Sequence, residues 1–410
     1  MPRPVRTLLA GTIAAIPLWV IACGPATSQS TVDNNQVQAG DVFAGQELDV
    51  VTTPQVTATT TATGNAFSGS VSAGDLTVQS TQTLTGSVGA RGIVNVGQYA
   101  GDVTSLTAGT GNTGDASIDS GGTLSGGFTQ TVGPTSVSSV SQLNAGNAQV
   151  DAAQIQNQAI ANSQGFGVGG SGLNAGVSQS NASSVTATGT ANIGYMPGDA
   201  VFSSAAVGNN VTSVGVDASQ SLGVAQANSG PLVQAVQTTG IGSSQNTLTN
   251  ATASANNVNV ANTNGPLGVA VNQNNQAAVL TNAQQASLQW GAATVTAQSV
   301  GNSTLAENIG GGVALDNLQF NGNGGVSAFA GFSGGTGYDE AASSTAMGNA
   351  ATGFSCSQCG GVMAINNSQT NESGVVAKSI GGATGPARSI SGTTTAVGNS
   401  GSFFVSAPGN

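Results

Sequence analysis

A four-residue signature, small-x-(Gly/Ala)-Asn, recurs along this chain and constrains its fold more than any other feature. Its asparagines are Asn65, Asn112, Asn162, Asn209, Asn256, Asn302, Asn349 and Asn399, spaced by 47, 50, 47, 47, 46, 47 and 50 residues. A second mark follows a similar period: Gly176-Val177, Gly223-Val224, Gly268-Val269, Gly312-Val313 and Gly361-Val362, separated by 47, 45, 44 and 49. Repetition at such a period marks a stack of like units, each too thin to bury its apolar face alone.

Within a unit the residues read as strands and turns. Leu267, Val269 and Val271 alternate with Gly268 and Ala270, and Thr294 to Val300 is a β-type run. Gly, Thr and Asn are spread throughout, and no stripe of period 3.6 is sustained, so helices are not expected. Even the Ala- and Gln-rich Asn282 to Leu288 reads as loop or strand. Gly-Asn suits a corner with left-handed backbone, and stacking would set Asn above Asn in a hydrogen-bonded ladder. The fold class is therefore all-β, a repetitive β-solenoid or β-helix-like rod over residues 51–410. A unit of this length holds either two turns or one large three-sided turn. Two turns per unit would give a rod of roughly 70 Å at the spacing of paired strands. Its end strands, Gly401 to Val405 among them, are edges open to pairing with other chains or cap the last turn.

Charge narrows the chemistry. The 410 residues include 5 Lys or Arg, 16 Asp or Glu and no His, and Gly alone takes 62 positions. No positive charge falls between Arg91 and Lys378. Histidine-dependent catalysis and His-ligated metals are excluded, and phosphate neutralisation is beyond this chain, which argues against nucleic-acid binding. The acids Asp115 with Asp119, and Asp339 with Glu340, read as solvated turn residues rather than as a catalytic pair or a calcium site. No enzyme activity, metal or cofactor is expected. Trp290 and Tyr338 are the candidates for stacking against sugar rings.

Residues 1–23 read as an export signal, with Arg3 and Arg6 ahead of an apolar run from Leu8 to Ile21. Val20-Ile21-Ala22-Cys23 resembles a lipobox that would acylate Cys23, while Gly24-Pro25-Ala26 offers ordinary cleavage after Ala26. Residues 24–50, with Asp33, Asp41, Glu47 and Asp49, read as a polar tether. Cys356 and Cys359 lack the further ligands that zinc requires, and read as a local disulfide in an oxidising compartment.

An exported chain with these Gly-, Asn- and Thr-rich repeats, of the type Ala206-Val207-Gly208-Asn209, resembles the HfaD holdfast anchor family of stalked alphaproteobacteria. The resemblance spans the chain's organisation, from the leader Met1 to Cys23 through the repeats, and carries over no functional residues. It implies a non-enzymatic protein of the outer membrane and cell surface that fixes an adhesive polysaccharide holdfast. It also implies two partners, a curlin-like fibre subunit and a lipoprotein related to the curli exporter. A general solenoid adhesin or filament subunit, self-associating through its ends, is the alternative. A polysaccharide-acting β-helix enzyme fits less well, because its groove would need a cation.

Overall fold

The structure, a computed structural model, describes residues 29–356 and 361–406. It contains two parallel sheets that alternate along the chain. The short strands are β1 (Ser30–Gln38), β3 (Leu76–Leu84), β5 (Thr123–Val132), β7 (Gly172–Asn181), β9 (Ser219–Asn228), β11 (Leu267–Asn275), β13 (Val313–Asn321) and β15 (Met363–Asn371). The long strands are β2 (Val42–Ala73), β4 (Val88–Ser120), β6 (Ser136–Gly169), β8 (Ser184–Val216), β10 (Leu232–Thr263), β12 (Ala278–Ile309) and β14 (Val326–Cys356). In the last coil β16 (Val375–Ile380) and β17 (Ala387–Ser406) share the long strand's role, both pairing with β14.

One short and one long strand complete one coil, so the chain is a β-solenoid with one turn per repeat. Eight rungs in the short-strand sheet stack to about 35 Å, half the height that two turns per unit would give. The reason lies in the long strand, which changes direction twice. In β10 the register shifts between Ser244 and Asn246. Equivalent breaks fall between Val50 and Thr52 and between Ala145 and Gln149. There the strand folds back, so that Leu143 and Ala145 share a core with Val150, Ala153 and Ile155. The second change comes at the Asn signature, where in β8 both Gly208 and Asn209 are buried and inside–outside alternation breaks. Beyond it the third arm packs on the short strand, as Ala116 and Ile118 do on Leu124 and Phe128.

The signature glycines do not supply left-handed backbone. Positive φ occurs instead where the long strand hands over to the short one, at Gly74, Gly121 and Gly170, and at Asp217 (54°) and Asn264 (52°). Asp and Asn tolerate that region better than other side chains do. Size is what the signature needs: a Cβ on Gly208 would lie 2.5 Å from the Ala255 carbonyl of the next coil. Ala161 and Ala255 occupy the same place in their coils, so a methyl is the limit.

The core is a set of vertical columns rather than one thick interior. Val42, Val88, Val137, Val185, Val233, Val279, Val326 and Val375 stack in register through all eight coils. Each of the six inner valines is at most 1% exposed, and burial of such a side chain contributes about 1.5–3 kcal/mol. The Gly-Val pairs align only in part: Gly176-Val177 stacks on Gly223-Val224, but Val269 falls opposite Leu222 and Val313 opposite Leu267.

The stretch read as a tether belongs to the solenoid from Ser30 onward. Asp33, Asp41, Glu47 and Asp49 all point outward, while Val32, Val42, Leu48 and Val50 alternate with them and face inward. Alternation of period two, not acid content, decides the structure here.

Candidate functional site

The interior carries two amide ladders that run through all eight coils, beside a shorter asparagine column from Asn181 to Asn371. Each signature asparagine donates through Nδ2 to Oδ1 of the next, from Asn65 to Asn112 at 2.8 Å and onward through Asn162, Asn209, Asn256, Asn302 and Asn349 to Asn399. The second N–H reaches a carbonyl of the short strand that follows in the chain, as from Asn209 to Ala227 O at 2.9 Å. Both N–H groups and the Oδ1 of each asparagine from Asn112 to Asn349 thereby have a partner in a buried site.

A second ladder escaped the sequence reading. Gln36, Gln82, Gln130, Gln179, Gln226, Gln273, Gln319 and Gln369 form a chain of 2.8–2.9 Å bonds in the opposite sense, each donating toward the N-terminal end. Their spacing of 46 to 50 residues is the signal that would have found them.

On the outside, a surface cavity of about 830 Å³ is lined by both candidate stacking aromatics, with Ser244, Asn246, Gln289 and Arg388. Tyr338 is 62% exposed, and the Arg388 guanidinium lies 5.6 Å from its ring centroid. Arg388 also donates through Nε to Asp339 at 2.8 Å, and this carboxyl is held below its usual range by that bond. Trp290 does not present an open face. Its ring is 3% exposed and stands edge-on to Phe332, with centroids 4.9 Å apart. Gly334 and Gly337 in the next coil make room for it, since a Cβ on Gly337 would come within 2.2 Å of the indole. Trp290 Nε1 and Ser244 Oγ are buried without a hydrogen-bond partner among the described residues. Both atoms are sealed behind the cavity wall, so the polar groups a ligand would meet there are those of Asn246, Gln289 and Arg388.

A shallower groove of about 620 Å³ runs along the outer face of the short-strand sheet, past Gly176, Gly223, Ala270 and Asp316. These four stack in one outward column, and a Cβ on Gly176 or Gly223 would meet nothing within 4 Å.

The acids Asp339 and Glu340 are not both solvated. Asp339 faces out to Arg388, but Glu340 points inward, 2% exposed, with neither carboxylate oxygen hydrogen-bonded among the described residues. Burial pushes its carboxyl up to about 7. Among the described residues no His, Cys, Asp or Glu cluster could hold a metal ion. Cys23, Cys359 and the leader lie outside the described residues, and with Cys359 the expected disulfide to Cys356.

Stacked parallel coils, internal amide ladders and outward faces of mostly small polar side chains define a repeat-built β-solenoid, a scaffold in architecture. Residues 50–325 match the model of a family described as holdfast attachment protein D, HfaD, and the chain belongs to this family. No curated protein and no solved structure matches it. Membership carries a role in holdfast attachment and a place at the cell surface or envelope.

Proposed function

We propose that this protein is a non-enzymatic anchor that ties an adhesive polysaccharide holdfast to the bacterial outer membrane. The observation that carries this reading is the family match over residues 50–325. The surface chemistry supports it: across the long cation-free stretch the outward columns offer hydroxyls, amides and bare backbone, suited to a neutral or weakly charged glycan. The cavity at Tyr338 and Arg388 is the place for a sugar unit, with the exposed Tyr338 ring as stacking surface. Attachment to the membrane comes through the exported N-terminus, with Cys23 as the acylated residue, and through a curlin-like fibre subunit and an exporter-like lipoprotein as partners.

The test is complementation of a deletion strain, scored as holdfast retained on cells under flow. Loss of retention on deletion is expected, with holdfast still made but shed, and restoration by the wild-type chain. Tyr338→Ala should lower retention several-fold without lowering thermal stability, because the ring is exposed. Cys23→Ala should release the protein from membranes. Gly223→Phe, on the groove, should leave both folding and retention unchanged, since the added side chain enters open space. Firm retention in the deletion strain would overturn the proposal. Loss with Gly223→Phe but not with Tyr338→Ala would move the glycan site to the groove.

A further inference from the structure

We infer that the two ends of the solenoid are complementary, and that copies of this chain stack head to tail into a continuous filament. This does not rest on the anchoring role, since a monomer could hold a glycan and a filament need not.

Solenoids that stay monomeric close their ends with atypical capping repeats that face polar groups outward. Among the described residues neither end of this solenoid does so. The valine column reaches both ends unchanged, with Val42 on the first coil and Val375 on the last, each only partly buried against the core. Ala44 and Ala377 repeat this one pair of residues further on, and Val32 and Ile365 close the neighbouring core column in the same way. Ile390, Phe404 and Val405 of β17 and Phe43 of β2 add exposed apolar surface. The terminal coils thus carry the same inner residues as the buried coils, as though another coil followed.

The ladders give the junction a direction. Asparagines donate toward the C-terminal end, so the Asn399 amide has no ladder acceptor beyond it and Asn65 Oδ1 has no ladder donor before it. Glutamines donate the other way, which leaves a Gln36 N–H at the first coil and the Gln369 carbonyl at the last. The first coil of one copy, set on the last coil of another, closes both ladders with the bonds that link neighbouring coils inside the chain. Two first coils facing each other with like residues opposed would set acceptor against acceptor at Asn65 and donor against donor at Gln36. Charge agrees: residues 30–73 carry Asp33, Asp41, Glu47 and Asp49 with no cation, while residues 363–406 carry Lys378 and Arg388 with Glu372 alone. The occupant of each end is therefore a second copy of this chain, and each copy lengthens the stack by about 38 Å.

Purified full-length protein is examined by sedimentation over a range of concentrations and by electron microscopy. Unbranched filaments one solenoid wide, with an axial repeat of about 38 Å, are expected. Val42→Lys spoils the first coil and Val375→Lys the last, so each variant alone should lose all species above monomer. An equimolar mixture should give dimers and nothing larger, because one sound end remains on each variant. That mixture also shows that both variants fold; Ala44→Lys and Ala377→Lys serve if either does not. A wild-type chain that stays monomeric at all concentrations, single variants that still form filaments, or a mixture of folded variants that stays monomeric would each overturn the inference.

Discussion

Replacing Asn209 by alanine should cost about 4 kcal/mol, a large loss for a change of one small side chain. The side chain accepts from Asn162 Nδ2 at 2.8 Å, and donates to Ala227 O at 2.9 Å and Asn256 Oδ1 at 2.8 Å. Its removal orphans an N–H and two oxygens where the asparagines are 0% exposed, each orphan costing roughly 1–3 kcal/mol. Solenoid stability is a sum over neighbouring coils, so the damage should concentrate at the contacts of β8 with β6 and β10. Hydrogen exchange would show those strands losing protection first, and denaturant unfolding would split into two transitions. Asn399→Ala, at the open end of the ladder, should cost well under half as much. Equal losses at the two positions, or a loss below about 1 kcal/mol at Asn209, would show that the ladder is not a source of cohesion.

The second large effect comes from Glu340. Its carboxyl titrates near 7 in the folded chain, against an ordinary value of 4.5. Between those values the folded state holds a proton that the unfolded state has released. The contribution of this group therefore falls as pH rises from about 4.5 to about 7, by up to roughly 3 kcal/mol, and is flat on either side. Glu340→Gln should remove this slope, so that the variant gains on the wild type from pH 4.5 to pH 8. Glu340→Ala should do the same, since Ala293 stands in this column one coil earlier. Urea unfolding of all three chains at pH 4.5, 6 and 8 measures the difference. A gap between wild type and variant that does not change with pH would mean that this carboxylate is hydrated.

Much of this molecule is legible in its repeats. The asparagine spacing marks every coil, and the residues so marked meet across coils at 2.7–2.9 Å. A parallel in-register stack allows this because each position has only its own counterparts above and below it. The glutamine ladder was equally visible but hidden by composition, since Gln is common throughout the chain. The first coil was obscured because Asp33, Asp41, Glu47 and Asp49 suggest solvent, although every one of them sits at an outward position.

Sequence alone determined the all-β class, the period, the asparagine column and the poverty in cations. These follow from residue type and spacing, which any stacked arrangement must respect. Only the tertiary structure decided that a repeat makes one coil and not two. That depends on where a long strand bends, at breaks that bear no common motif between Val50 and Thr52 or Ser244 and Asn246. It also decided that Trp290 is buried, because the glycines that house it lie in the next coil, more than forty residues away in sequence. The same holds for Asp339 and Glu340, adjacent in the chain. A strand sends neighbouring side chains to opposite faces, so one meets Arg388 in solvent and the other is sealed inside without a partner.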